Sequence, residues 1–256
     1  MAGRREIEGG LGISDQVDTP PRPDSATVDE LFAELRARIL DGRLAEGQPL
    51  SQVKLAEEFG VNRAPLREAL RMLQREGLID AQYNRRVTVS RLTTADLEEL
   101  YAERIITEAL GIRLTVRTLT DADIERLREL IETMEGLASA ESFLEWEVAH
   151  HEFHACLVAG AGERSRARID YLGDYARRYR HALASSGARA VEGFAQGALE
   201  HRAIVDACEA RDRDLAATRL ANHLARTALS LISIREPTHD PATVREALRL
   251  VGEDRR

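Results

Sequence analysis

Cysteine, lysine and aromatic side chains are all scarce in this chain of 256 residues. It has two cysteines, a single lysine (Lys54), one tryptophan, and 4% aromatic residues in total. Cys156 and Cys208 stand too far apart in sequence, and too few in number, for a disulfide framework. They read as two small buried hydrophobes with free thiols, as in a reducing cytoplasm. No apolar run approaches the roughly 20 residues that a membrane helix needs. Arg4 and Arg5 are followed by no apolar stretch, so neither a membrane span nor a secretory leader is expected, and the expected location is cytoplasmic. A phosphate-cradling glycine loop, a nucleophile elbow and an HExxH pair are also missing, which removes the commonest grounds for an enzyme. What remains is 43% hydrophobic and 31% charged, enough for about two globular domains with their own cores.

The net charge of −8 argues against nucleic acid until its distribution is read. Residues 27–91 hold 11 lysines and arginines against 10 acids, a net of +1, whereas residues 92–256 carry −7 and the first 26 carry −2. The N-terminal third is therefore the part most tolerant of phosphate, and arginine does almost all of its cationic work.

Residues 1–26 end in "DTPPRPDSA", rich in Gly and Pro without a period, and read as a disordered arm. From Val28 the apolar residues Val28, Leu31, Phe32, Leu35 and Ile39 recur at helical spacing, and Gly42 ends the helix. Ser51 can cap a short helix to Phe59 that stops at Gly60, and Asn62 can cap a longer one to about Glu76, closed by Gly77. "GLIDA" and "RVTVS" then form a hairpin around the polar tip Gln82–Arg86. That order is a winged helix-turn-helix over residues 27–91. From Thr93 to Arg235 the pattern is helical throughout, with capping boxes in form at Thr93-x-x-Asp96 and Thr120-x-x-Asp123. Five or six helices fit, giving an all-α bundle over residues 92–236. The stretch 237–256 reads as a peripheral tail with one helical turn. The expected fold is mainly α: an N-terminal winged helix-turn-helix plus a C-terminal helical bundle.

The densest signal is "LAEEFGVNRAPLREALRMLQREGLI", Leu55 to Ile79. Leu55, Phe59, Val61, Leu66, Leu70 and Leu73 form one core, which leaves Asn62, Arg63, Ala64 and Arg67 on the outer face of the second helix's first turns. A recognition helix reads bases with its N-terminal residues, and arginine grips guanine or phosphate there. The alternative is a solvated basic face. This stretch resembles the GntR family of bacterial transcription regulators, matching its "LAE..GV.R.P.REAL..L...GL" pattern almost throughout from Leu55 to Leu78. The resemblance implies DNA contact by Arg63 and Arg67, flanked by Asn62 and Ala64. The wing departs from the pattern: Tyr83-Asn84-Arg85-Arg86 stands where many relatives carry glycine, and Arg85 or Arg86 is expected at the minor groove or backbone.

The bundle carries "AHHEFHACL", with His150 and His154 four apart and so on one helical face. His201 and His223 follow on later helices, 22 residues apart. This half resembles the FadR-type ligand-binding domain in its metal-binding version, where an Asp-x-x-x-His helix and two later histidines hold the ion; here His150 replaces the aspartate. The resemblance implies a divalent transition metal held by His150, His154, His201 and His223. Neutral imidazole suits zinc or nickel, and the lost carboxylate weakens the case for manganese or iron. The alternative is four core histidines bonded to backbone carbonyls, while His151, His181 and His239 read as surface. Arg104, in Tyr101-x-x-Arg104-x-x-x-Glu108, matches the resembled domain's carboxylate clamp; a plain i, i+4 ion pair to Glu108 is the other reading, and the two are compatible.

Two functions compete. One is a homodimeric regulator, by family habit a repressor, that reads a palindromic DNA operator and responds to a small organic acid bound at or near the metal. The other is a metal-dependent helical-bundle enzyme. Glu147-x-x-His150 matches half of a di-iron carboxylate site, but neither Ala198 nor Leu220 supplies the second half.

Overall fold

The computed structural model describes residues 26–81, 86–138, 142–184 and 188–252, without the side chains of 182–184 and 188–194. The arm read over residues 1–26 lies, up to residue 25, outside the described residues, as does the wing tip from Gln82 to Arg85. The N-terminal unit runs α1 (Val28–Leu40), β1 (Pro49–Leu50), α2 (Gln52–Glu58), α3 (Arg63–Arg75), β2 (Ile79–Asp80) and β3 (Val87–Val89). Thr27 and Glu30 cap α1 reciprocally, each side chain accepting the other's backbone N–H. Ser51 caps α2 through Lys54 N. Gly60 and Gly77 end α2 and α3 at φ +64° and +73°, where a side chain would be strained. Leu35, Ile39, Leu55, Leu66, Leu70 and Leu73 form a buried core, with Phe59 and Val61 half-buried on its edge.

The expected hairpin is there, and a third strand joins it. The sheet order is β1-β3-β2, all antiparallel, with Leu50 opposite Val87 and Ile79 opposite Val89. Two residues at Pro49–Leu50 are too few to show an alternating pattern, so β1 has no signature of its own.

Six helices follow: α4 (Thr94–Thr115), α5 (Asp121–Gly136), α6 (Phe143–Leu157), α7 (Glu163–Ala184), α8 (Ala188–Glu209) and α9 (Arg213–Arg235). Thr120 and Asp123 make a full capping box, and Thr93 caps α4 through Asp96 N. Helix α4 packs along α9 at the centre, burying Leu97, Tyr101, Ile105, Ala109 and Ile112. Gly160, in the turn after α6, lies so close to the end of α4 that an added Cβ would stand 2.7 Å from Thr115 Cα.

The C-terminal stretch is more than a peripheral turn. Helix α10 (Ala242–Gly252) docks on α4 and α9, with Val244 and Ala247 buried in the bundle core. The α4 residue Glu98 caps it, accepting from Thr243 N and from His239 Nε2. His239 is thus no plain surface residue. Nor is His181, which is half-buried with its ring edge on Phe143 and against Gly42.

Helix α7 joins the two halves. From it Tyr171 Oη donates to Glu76 O (3.3 Å), Arg178 Nη2 to Ser90 O (2.8 Å) and Tyr179 Oη to Thr93 O (3.2 Å). Its Asp174 accepts from Arg36 Nη1 of α1 (2.8 Å).

Candidate nucleic-acid interface and metal centre

Helix α3 is amphipathic in the way its sequence implies. Leu66, Ala69, Leu70 and Leu73 are buried, while Asn62, Arg63, Ala64 and Arg67 are exposed at its N-terminal end. Asn62 stands at the N-cap position, yet its side chain makes no capping bond. The amide is therefore left facing outward, a departure from the expected cap. Arg71 pairs with Glu68 at 3.0 Å, but among the described residues Arg63 and Arg67 have no ion pair. Two uncommitted arginines thus project beside the helix N-terminus, whose backbone dipole also favours phosphate. Arg86 is exposed beside β3, and Arg85 lies outside the described residues.

His150 and His154 of α6, His201 of α8 and His223 of α9 are all buried, and one ring nitrogen from each lies within 4.8 Å of the others. These residues could hold a metal ion. The hydrogen bonds around them decide which nitrogens are bare. His154 Nδ1 lies 2.9 Å from Glu108 Oε2, and His223 Nδ1 lies 2.8 Å from Glu200 Oε2. An ionised carboxylate only accepts, so both protons sit on Nδ1 and both Nε2 atoms carry lone pairs. His154 Nε2 and His150 Nδ1 are buried without a hydrogen-bond partner. His201 Nε2 and His223 Nε2 face each other at 3.3 Å, a contact that needs a proton on His201 or a cation between them. Orphaned, converging nitrogens fit a metal better than core histidines tied to carbonyls, and no such carbonyl bond occurs at these four rings among the described residues.

The carboxylates are themselves anchored. Arg104 Nε donates to Glu108 Oε1 at 2.7 Å, and Arg226 Nε donates to Glu200 Oε1. Burial pushes the Glu108 carboxyl upward, but Arg104 and His154 outweigh it and hold it at about 2. Glu200 is likewise held at about 2, the bonds from His223 and Arg226 overcoming its burial. Burial drives the four imidazoles the other way. His154 falls to about 4 despite Glu108, His223 is lowered, and His150 and His201 lie well below the usual range. At neutral pH the cluster is therefore four neutral donors, the state a transition metal requires.

Arg104 forms the buried ion pair with Glu108 that its sequence allowed, through Nε, and it also lines the cavity beside the histidines. Glu147 is also spoken for. Its two oxygens accept from Arg180 Nε and Nη2 at 2.7 and 2.8 Å, so it is not free to act as a ligand or base in a carboxylate metal site. A cavity of about 20 Å³ lies against Arg104, Glu108, His150, His154 and Arg180, and a second of about 320 Å³, largely apolar, lies against Trp146 and His201. Sequence reasoning missed the anchoring roles of Glu200, Arg226 and Arg180. Glu200 adjoins His201 in the chain but serves His223, and spacing along one helix carries no sign of that.

Residues 27–89 match the family described as bacterial regulatory proteins, gntR family, and residues 99–226, half of the chain, match the FCD domain. The chain belongs to the GntR family. This GntR regulator is 28% identical to the helix-turn-helix transcriptional regulator YdhC of Bacillus subtilis over 130 residues, half of this chain and 58% of that protein. It is 27% identical to the transcriptional repressor GlaR of Escherichia coli K12 over 195 residues, covering 74% of this chain and 89% of the other. Its fold is that of McbR/YncC of E. coli, with a TM-score of 0.67 at 20% identity over 82% of this chain and 98% of that one. The GntR regulator is thus a DNA-binding transcription regulator, as its relatives are, and the relatives are not enzymes. Among the described residues no helix is long and apolar enough to cross a membrane.

Proposed function

We propose that this GntR protein is a repressor that binds a palindromic operator as a homodimer, and that a metal held by His150, His154, His201 and His223, together with a small organic acid, sets its affinity for DNA. In this reading residues 27–91 read DNA, and the helices from residue 92 onward sense and pair. Asn62, Arg63, Ala64 and Arg67 enter the major groove, while Arg85 and Arg86 touch the backbone or minor groove. The observation that carries the sensing role is the convergence of four buried neutral imidazoles, two of them oriented by anchored carboxylates. Zinc or nickel suits that donor set. When bound, the metal would supply a Lewis acid held by these four imidazoles. The 320 Å³ cavity beside His201 supports a ligand-sized space next to the centre.

Helix α7 supports a route from centre to reader. It lines the 20 Å³ cavity with Ile169, Asp170, Gly173 and Arg180, and the same helix holds Ser90, Thr93 and Glu76 of the reader and its linker. A ligand that favours one seating of α7 would favour one position of the recognition helix. Pairing is supported by Ile106, Leu110 and Leu114, exposed at spacings of four along one face of α4. A second copy of this chain would bury that stripe.

The test is selection of bound duplexes from a random pool, followed by gel shift with and without zinc. A palindromic sequence should emerge. Arg63→Ala and Arg67→Ala should each weaken binding, and the salt dependence should flatten by about one unit for each lost phosphate contact. Metal analysis should find an ion in the wild type and none after His154→Ala with His201→Ala. Equal affinity in the arginine variants, or no metal after supplementation, would refute the corresponding half.

A further inference from the structure

Three arginines are buried among the described residues: Arg104, Arg178 and Arg180. A glutamate answers two of them, Glu108 for Arg104 and Glu147 for Arg180. Arg178 of α7 has no such partner. Its one hydrogen bond among the described residues runs from Nη2 to Ser90 O, and it has no ion pair there. Burial lowers the pKa of Arg178, opposed only through space by Tyr175, Tyr179, Glu46 and Asp80. Burial acts on Arg180 too, but there Glu147 outweighs it. A buried cation left unanswered is costly, and a ligand of opposite charge offsets the cost.

Arg178 lines a cleft of about 670 Å³ between the reader and the bundle, a volume within the range of ligand sites. Tyr171, Tyr175 and Tyr179, four apart on one face of α7, line it as well. Ser90 contributes an Oγ that is buried without a hydrogen-bond partner. Negative charge is present too. Asp80 and Glu99 line the cleft, are exposed, and have no ion pair among the described residues, and the same holds for Arg91. The remaining charged groups are committed: Arg168 holds Glu103 with two bonds, and Asp96 caps α4 with Thr93. The unpaired charges, Arg91 and Arg178 against Asp80 and Glu99, cancel in sum. A ligand with net charge would upset that balance, whereas one carrying both signs at separate points pairs twice.

We infer that the cleft between reader and bundle is a binding site for a zwitterionic amino acid with an aromatic side chain. Its carboxylate takes the guanidinium of Arg178, its ammonium faces Asp80 and Glu99, and its ring lies on the tyrosine stripe. The site stands apart from the four histidines and needs no metal. An occupant that touches the reader, α4 and α7 together favours the reader position described here, and so couples to DNA affinity.

Calorimetric titration of the metal-free full-length protein with L-phenylalanine tests this, beside two analogues that each lack one charge: N-acetyl-L-phenylalanine and L-phenylalaninamide. L-Phenylalanine should bind saturably, and each analogue at least about tenfold more weakly. Arg178→Gln should weaken L-phenylalanine and bring it level with its amide, because the carboxylate has lost its partner. Asp80→Asn with Glu99→Gln should bring it level with the N-acetyl compound. Both acids are exposed and unpaired, so this variant folds even where Arg178→Gln does not. A purely structural Arg178 would lower the melting temperature and weaken all three ligands alike, leaving the gaps between them intact. Trp146 stacks on His150 with ring centroids 4.4 Å apart, so its emission reports on the histidine centre rather than on the cleft. Three results overturn the inference: no saturable binding of L-phenylalanine, a gap that survives in either folded variant, or binding that Trp146 emission follows and both variants leave unchanged.

Discussion

Replacing Glu200 with glutamine should weaken metal binding without unfolding the bundle. Glu200 accepts the His223 Nδ1 proton at 2.8 Å and so leaves the lone pair on Nε2, the nitrogen that faces His201. Glutamine is isosteric and its carbonyl can still accept that proton, so ring orientation survives. What is lost is the negative charge that raises imidazole basicity, and such outer partners are worth about 10- to 100-fold in metal affinity. That range corresponds to about 1.4–2.7 kcal/mol. Glu200 and Glu108 differ in their surroundings. Loss of the Glu108 charge would strand Arg104, which is only 3% exposed, at a cost of about 3–5 kcal/mol. The partner of Glu200, Arg226, is 31% exposed and can turn to water. The assay is competition of Zn²⁺ against a chelator of known affinity, followed by Trp146 emission, with the melting temperature of the metal-free protein as control. A Glu200→Gln protein that folds and binds zinc as tightly as the wild type would refute the idea that this carboxylate tunes a metal ligand.

Two further outcomes follow from the fold. Burial raises the Glu98 carboxyl, but the bonds from His239 and Thr243 win and hold it below the ordinary carboxylate range. A depressed carboxyl stabilises the native state above its unfolded value of about 4 and loses that contribution as pH falls through the folded value. Acid below about pH 4 should therefore free α10 early, seen as faster amide exchange over residues 242–252; exchange there no faster than in α4 or α9 would contradict the capping role. Gly160→Ala should cost about 1–3 kcal/mol, because its Cβ would press on the backbone of Thr115, which cannot swing aside as a side chain can. Urea unfolding measures it, and a midpoint equal to the wild type would show that the turn yields freely.

Much of this was legible in one dimension because the determining interactions are local. A 3.6-residue period with Gly60 and Gly77 at the stops marks α2 and α3, and a cap at Thr120 begins α5. The winged helix-turn-helix, a bundle of five or six helices and the outward face of Arg63 and Arg67 all follow from such spacings. Even the histidine pair on α6 declares itself, since residues four apart share a face. Where local signal was weak the reading fell short. Strand β1 is too short to alternate, and α10, expected as a peripheral turn, is held by Glu98 from a helix about 145 residues earlier.

The sequence by itself thus determined which helices form, which face of each is apolar and which residue types could bind DNA or metal, because periodicity and capping act within a few residues. Only the tertiary structure decided how the polar groups are spent. It gave Arg104 to Glu108 and Glu147 to Arg180, set Glu200 behind His223, and left His150 Nδ1, His154 Nε2 and Arg180 Nη1 without hydrogen-bond partners. Those assignments depend on which helices meet in the buried centre, where each donor must find an acceptor or a ligand, and that geometry is written in no single stretch of chain.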